Sequence, residues 1–545
     1  MSNPRFIGSR FGGFALLTLV VGLVANGAQA ASDKPNIVFI FSDDHTAQAV
    51  GAYQGHLDYG LELDHSPTPN IDRLAQQGMR FDNAFVANSI CKPSRAAVLT
   101  GKFGHLNGMK DNKNPNFDND QLVFTTLLQE AGYETAVIGK WHLGSEPKGF
   151  DYYEVLYGQG PYYNPKMRTP NGDVQHEGYV TEIITDEAMD WLKKQEGNDK
   201  PFLLMYQHKA PHRNWVPGPD HVNDYAGRDL PEPDTLFYDY SGLATPAHKQ
   251  DMEIATTMSW GWDLKVRPDQ VPRHPKTGKK VKAGEWRSYG RLKSINALTE
   301  GQLAWLEQGY KPMNARLHAD YASMSEKDLT RWKYQRYIKD YLRVVRGLDD
   351  GVGRIMEYLE KSGLKDDTIV IYTSDQGFFL GENGWFDKRW MYEESFRTPL
   401  IVRWPGTVEP GSVNKDFVQN IDFGPTMLGM AGLDVPEQMQ GRSLTPLLKG
   451  QTPEGWRESL YYQYFEFPAV HSVRRHYGVR TERYKLIHYY RMDEWELFDL
   501  KKDPEELNSV YGEAAYQDVQ KRMKRELRRL QDKYKVPEDI ALDDK

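Results

Sequence analysis

The 545-residue chain predicts a large, mostly parallel mixed sheet sandwiched by helices, followed by a smaller C-terminal α+β unit. Three observations carry this expectation. Four apolar runs of strand length are continuous rather than alternating, as in strands buried on both faces of a parallel sheet. Segments of helical period lie between them, and alternation of helix and strand over this length is the pattern of an α/β fold. Beyond about residue 440, short aromatic-rich strands and one amphipathic helix replace that pattern.

The four runs share one design. "NIVFIF" (36–41) leads into Asp43, Asp44 and His45, and "TAVIG" (135–139) leads into Lys140, Trp141 and His142. "FLLMYQ" (202–207) leads into His208, Lys209 and His212, and "TIVIYT" (368–373) into Ser374, Asp375 and Gln376. "LVFTTLLQEAG" precedes the second run and "TEIITDEAMDWLKKQ" the third. Before the fourth, Ile338, Tyr341, Leu342, Val345 and Leu348 recur at helical spacing. Ligands of such sheets bind beyond the carboxyl ends of the strands. Here those ends bring acids, histidines and a lysine to one edge.

Residues of about 218–332 are rich in Pro, Trp and charge and read as an insertion without confident elements. Past it, "HYGVRTERYKLIHYY" and "WELFDL" have the look of antiparallel strands. Val519, Met523, Leu527, Leu530 and Tyr534 form one face of a helix over 516–535, whose Lys and Arg make its solvated side. The expected boundaries are 1–30, 31–440 and 441–545.

The first thirty residues read as a secretory signal. Arg5 and Arg10 form a basic n-region, "FALLTLVVGLVA" is too short an apolar run to span a bilayer, and "AQA" at 28–30 is a cleavage site. An exported, periplasmic or secreted protein is expected, with no integral membrane segment after cleavage. The formal net charge is −8, and loss of Arg5 and Arg10 makes the mature chain still more acidic, a poor match for nucleic acid. Cys91 is the single cysteine, so no intramolecular disulfide is available. On composition alone it is either a small buried hydrophobe or a reactive residue.

Asp43 and Asp44, with Asp375 and Gln376, place oxygen donors at two strand ends. Three carboxylates and an amide make a hard, all-oxygen site that suits Ca²⁺ or Mg²⁺ better than zinc, while each acid alone would more ordinarily cap a turn. Lys140 and His142, two apart, would face one way on an extended chain. With His212, Lys388 and Arg95 they would make a pocket for a tetrahedral oxyanion. Pro93 fits the first turn of a helix, which puts Cys91 at its N-terminus.

"CKPSRAAVLTGK" (91–102) resembles the C-x-P-S-R-x-x-x-L-T-G signature of formylglycine-dependent type I sulfatases, members of the alkaline phosphatase superfamily. "PNIVFIFSDDH", "SPTPNIDRLAQQG", "GKWHLG", "HKAPH", "TSDQGFFLGENGWFDKRWMYEESFRTPLIVRWPG" and "GVRTERYKLI" resemble further blocks of that family in order, nearest to its bacterial carbohydrate sulfatases. The resemblance implies that a maturation enzyme converts Cys91 to formylglycine. One hydroxyl of the hydrated aldehyde would attack sulfur and expel the sugar alcohol, and the other would release sulfate. It also implies Asp43, Asp44, Asp375 and Gln376 as Ca²⁺ ligands, with Gln376 departing from the commoner Asn. Arg95 would hold the hydrated aldehyde, and Lys140, His212 and Lys388 the sulfate. His212 would be the acid for the leaving alcohol, and His142 would serve the release step. His208, Arg213, Trp215, His471, Arg474, Arg475 and His476 are the candidate contacts to a sulfated carbohydrate. Two other readings compete: a phosphoester or phosphonate ester hydrolase of the same superfamily, and a sulfated-glycan binding protein without catalysis.

Overall fold

The computed structural model describes residues 34–57, 59–267, 270–272 and 298–538. The expected signal segment and part of the 218–332 insertion lie outside the described residues. The four apolar runs form adjacent parallel strands: β1 (Asn36–Ser42), β2 (Glu134–Gly139), β3 (Phe202–Gln207) and β4 (Thr368–Ser374), in the spatial order β4-β1-β3-β2. They are the centre of a ten-stranded sheet. Tyr152–Leu156 continues it in parallel on one side. Antiparallel Leu400–Arg403 joins β4 on the other, which makes the sheet mixed.

Both faces of these strands are closed. Val38 and Ile40 of β1 pack toward α2 (Val180–Lys193) and α3 (Glu326–Lys361), while Ile37, Phe39 and Phe41 pack toward α1 (Cys91–Thr100) and the helix Phe423–Met430. Burying each such side chain stabilises the sheet by about 1.5–3 kcal/mol. No outward face is left to be polar, which is why the runs are continuous.

The insertion is more ordered than its composition suggests. It contains a 21-residue helix, Glu300–Asp320, which opens with a reciprocal capping box between Thr299 and Gln302. Ser325 and Asp328 cap α3 in the same way. At 36 residues, α3 extends well beyond the apolar spacing recognised around 338–348.

At the C-terminus, Ser459–Tyr464, His476–Thr481, Tyr484–Tyr489 and Glu494–Asp499 form a four-stranded antiparallel sheet. The helix α4 (Gln517–Lys533) lays Met523, Leu527 and Leu530 on it, with Tyr534 just beyond, while Val519 is only partly covered. Among the described residues no helix is long and apolar enough to cross a membrane.

Candidate active site

The site grows from strand register. Ser42 at the end of β1 pairs with Ser374 at the end of β4, so Asp43-Asp44 and Asp375-Gln376 emerge side by side. Asp44 turns into the left-handed region (φ 68°), and its backbone N–H donates to Asp375 Oδ1 at 3.1 Å. Carboxylate oxygens of Asp43, Asp44 and Asp375 all lie within 4.8 Å of one another, and all three residues are buried.

Each carboxylate has its own cation. Lys140 Nζ contacts Asp43 Oδ2, Lys388 Nζ lies 2.6 Å from Asp44 Oδ2, and Arg95 NH2 lies 3.0 Å from Asp375 Oδ2. Burial works against ionisation of Asp43, but Lys140, His212, Arg95 and Lys388 together hold its carboxyl well below the usual range. Asp44 is pushed up to about 6 by burial, with Asp43 and Asp387 adding to the effect against Lys388. Asp375 rises to about 8, through burial and then the charge of Asp43. Three acids this close ionise in succession unless a cation joins them.

Gln376 donates from Nε2 to Asp44 Oδ1 at 2.5 Å, while its buried Oε1 has no hydrogen-bond partner among the described residues. Rotating the amide would point that oxygen at the acids. An all-oxygen set of three carboxylates and one amide fits a hard divalent cation.

Cys91 is the first residue of α1, after an extended Ile90, and Gly101 in the left-handed conformation (φ 64°) closes the helix. Its Sγ lies 3.5 Å from Asp43 Oδ1 and 3.6 Å from Gln376 Nε2. Burial, then Asp43, pushes the thiol up to about 12, so as a thiol it is a poor nucleophile. Ser94 hydrogen-bonds the carbonyl of Asp375 and accepts from Asn420 Nδ2, tying α1 to β4. Arg95 NH1 donates to Lys140 O and Gln207 Oε1, each at 2.8 Å, so one guanidinium joins the ends of β2, β3 and β4.

The histidines divide. His212 Nδ1 lies 2.6 Å from the Arg213 carbonyl, which can only accept, so Nδ1 carries hydrogen. Nε2 is therefore the exchangeable position, 3.8 Å from Asp44 Oδ2. Burial, then Lys388, Lys140 and Lys209, pushes its pKa well below the ordinary value against the pull of Asp43. His142 is likewise lowered, by burial and then Lys140. It joins the group through a turn, not an extended segment: β2 ends at Gly139 (φ 108°), and His142 itself has φ 61°.

The expected carbohydrate contacts are corrected in part. His208 is 0% exposed, both ring nitrogens lack partners among the described residues, and its ring packs 4.3 Å from that of Tyr206. It is a core histidine held neutral by burial, at about 3. Trp215 is also 0% exposed, wedged among Tyr337, Phe378 and Phe386. His476 is closed off by Trp390, Tyr462, Tyr464 and Tyr489. None of these three rings has a face left for sugar. Arg474 and Arg475 are half-buried around Phe467.

Arg213 and His471 do belong to the neighbourhood of Lys388. Arg213 forms a fork on Asp263 (2.6 and 2.7 Å) and reaches His471 Nε2 at 3.2 Å. His471 Nε2 lies 3.1 Å from Asp387 Oδ2, beside Lys388 in the chain. Asp387 and Arg389 carry no site signal of their own in the sequence, and Lys209 is legible there only as a polar residue after β3. Asp387 (φ 83°) and Arg389 (φ 99°) flank Lys388 in a strained loop, and only their adjacency to Lys388 could have pointed to them.

Against known proteins, the sulfatase family profile matches residues 35–433, and the profile described as N-sulphoglucosamine sulphohydrolase, C-terminal, matches residues 381–533. The chain is 45% identical over 528 residues to an N-acetylglucosamine-6-O-sulfatase of Bacteroides thetaiotaomicron, covering 95% of this chain and 90% of the relative. It is 26% identical over 480 residues to the human N-acetylglucosamine-6-sulfatase, covering 83% and 71%. A solved structure of a protein in complex with its substrate D-glucosamine-2-N,6-O-disulfate matches with a TM-score of 0.85 and 44% identity, over 94% of this chain and 100% of that one. A phosphonate monoester hydrolase of Silicibacter pomeroyi shares the fold at a TM-score of 0.61 and 20% identity, over 94% and 97%.

Proposed function

The chain belongs to the sulfatase family and is a sulfuric ester hydrolase acting on carbohydrate, and from that premise we propose that it removes the 6-O-sulfate of a glucosamine residue. The observation that carries this reading is the match, at a TM-score of 0.85 and nearly full length, to a protein captured with a 6-O-sulfated glucosamine.

Asp43, Asp44, Asp375 and Gln376 would hold Ca²⁺, which when bound supplies a Lewis acid and a template for the sulfate. Cys91, converted to formylglycine, supplies in its hydrated form both a nucleophilic hydroxyl and a second hydroxyl for releasing the sulfate. Arg95, locked to three strand ends, holds residue 91 in position. Lys140 and Lys388 take the sulfate oxygens, exchanging carboxylate partners for substrate. His212 delivers a proton from Nε2 to the departing sugar oxygen, since its Nδ1–H is committed to the Arg213 carbonyl. His142 accepts the proton of the release step. Asp387, Arg389, His471 and Arg213 form the polar wall next to Lys388 that would meet sugar hydroxyls.

Export through the first thirty residues and conversion of Cys91 by a maturation enzyme complete the reading. The division near residue 440 is supported by the separate four-stranded sheet that begins at Ser459. The matured protein should release sulfate from D-glucosamine-2-N,6-O-disulfate, with nuclear magnetic resonance placing the loss at C6. Loss from nitrogen instead, or faster hydrolysis of an aryl phosphate than of an aryl sulfate, would overturn the proposal.

A further inference from the structure

The cations of the site do not balance the acids, and the surplus is Lys209. Asp43 is matched by Lys140, Asp44 by Lys388 and Asp375 by Arg95, three acids against three bases. Lys209 is a fourth base, 2% exposed, with no hydrogen-bond or ion-pair partner among the described residues. Its Nζ instead lies over the ring of Tyr162, 4.7 Å from the centroid. Burial, then Lys140, lowers its pKa to about 7, so the amine holds its proton firmly only when an anion stands beside it.

The chain around Lys209 is tied to the site. Asp43 N donates to Ala210 O at 3.1 Å, His208 N to Phe41 O at 2.9 Å, and His212 N to Lys209 O at 3.0 Å. Tyr162, beneath the ammonium, donates to His212 O at 2.6 Å. Lys209 is therefore held between the end of β1 and the His212 turn, in the electrostatic range of Lys140, Asp43, Asp44 and Cys91.

We propose that Lys209 is a third lysine of the sulfate pocket, binding the anionic group directly alongside Lys140 and Lys388. Unlike those two, it gives up no carboxylate when the anion enters. It strengthens capture of the sulfate ester and retention of the sulfate product.

The inference rests on the sulfatase reading of the site, and the experiment separates the two. The Cys91 protein, produced without a maturation enzyme, is titrated calorimetrically with inorganic sulfate in the presence of Ca²⁺. Lys209→Met and Lys209→Gln are treated identically, and all three proteins are melted to check folding. The expected result is sulfate binding by the parent, weakened tenfold or more in both variants. In the matured enzymes KM should rise more than kcat falls. Variants that melt like the parent and bind sulfate within twofold of it would overturn the role of Lys209 alone. A parent that binds no sulfate would overturn the pocket and this inference with it. Loss of the fold in both variants would assign Lys209 to the scaffold and also overturn the proposal.

Discussion

Replacing Lys388 by Met tests whether the three acids are a cation site. The change keeps most of the side chain's length and removes the ammonium 2.6 Å from Asp44 Oδ2, in a place closed to water. Breaking a buried ion pair on one side costs about 3–5 kcal/mol. Asp44 can escape by taking up a proton, which at pH 7 caps its own penalty near 4 kcal/mol, from about 1.4 kcal/mol per pKa unit above 3.9. Burial already holds Asp44 at about 6, so part of that penalty is present in the parent, and a net loss of about 1–4 kcal/mol is expected without metal. Ca²⁺ should reverse it, because the variant's site is one charge more negative and has lost the competitor on Asp44. The assay is thermal unfolding in chelator and over a Ca²⁺ titration. Lys388→Met should melt lower than the parent in chelator, gain more from Ca²⁺, and lose turnover under both conditions. A Ca²⁺-induced gain no larger than the parent's would refute the assignment of Asp44 as a ligand.

Gly139→Ala would put a Cβ 1.9 Å from Gln207 O at a residue with φ of 108°, just before Lys140. Backbone strain of about 1–3 kcal/mol and overpacking of similar size should lower stability by about 2–6 kcal/mol, with activity down about 100-fold; unchanged denaturant midpoint and turnover would contradict this. Cys91→Ser, made in a host that matures only cysteine, should melt like the parent and turn over nothing, and intact-peptide mass spectrometry should show the parent's Cys91 converted; residual turnover by the Ser variant would sink the nucleophile assignment. His221 concerns stability alone: its ring nitrogens lie 2.8 Å from Asp224 Oδ2 and 2.7 Å from Asp350 Oδ2. Burial works against its charge, but the two carboxylates raise its pKa above the ordinary value. Its contribution is then complete below about 6.5 and is lost as pH rises through the higher folded value. Solvent screens both acids, so His221→Gln should cost about 1 kcal/mol or less at pH 6, and still less at pH 8.5; a cost that grows with pH would reverse the assignment.

What could be read from the sequence followed from chemistry that is local in the chain. Continuous apolar runs ending in Asp, Lys or His define buried strands and the edge on which their polar ends meet, and Pro93 with Gly101 brackets α1. What failed depended on rotation and depth. His208 and His212 are four apart in one loop, yet His208 drops under the strand onto Tyr206 while His212 faces the acids. Trp215 and His476 have residue types that often touch sugar, and only packing shows that both ring faces are taken. The helix Glu300–Asp320 escaped notice because the Pro- and charge-rich stretch before it masked a capping box, Thr299 to Gln302. Asp387 and Arg389 could not stand out, since their importance comes from a loop that folds back to bring His471 alongside.

The pairing of acids and bases accounts for three carboxylates standing close together inside the fold. Asp43, Asp44 and Asp375 would repel one another across less than 5 Å, and Lys140, Lys388 and Arg95 relieve that repulsion from inside the fold. A cation entering among the acids takes over this role and frees the ammonium groups of Lys140 and Lys388. A sulfate that draws those ammonium groups away likewise leaves the acids needing a cation. On the proposed function each ion would thus prepare the site for the other, and linkage would then have each raise the affinity of its counterpart by the same factor. Arg95 stays outside this exchange, because its guanidinium is also spent on Lys140 O and Gln207 Oε1. On the proposed function, two of the three acid-paired cations would be free to meet the arriving anion, with Lys209 beside them, while Arg95 would stay fixed and hold residue 91.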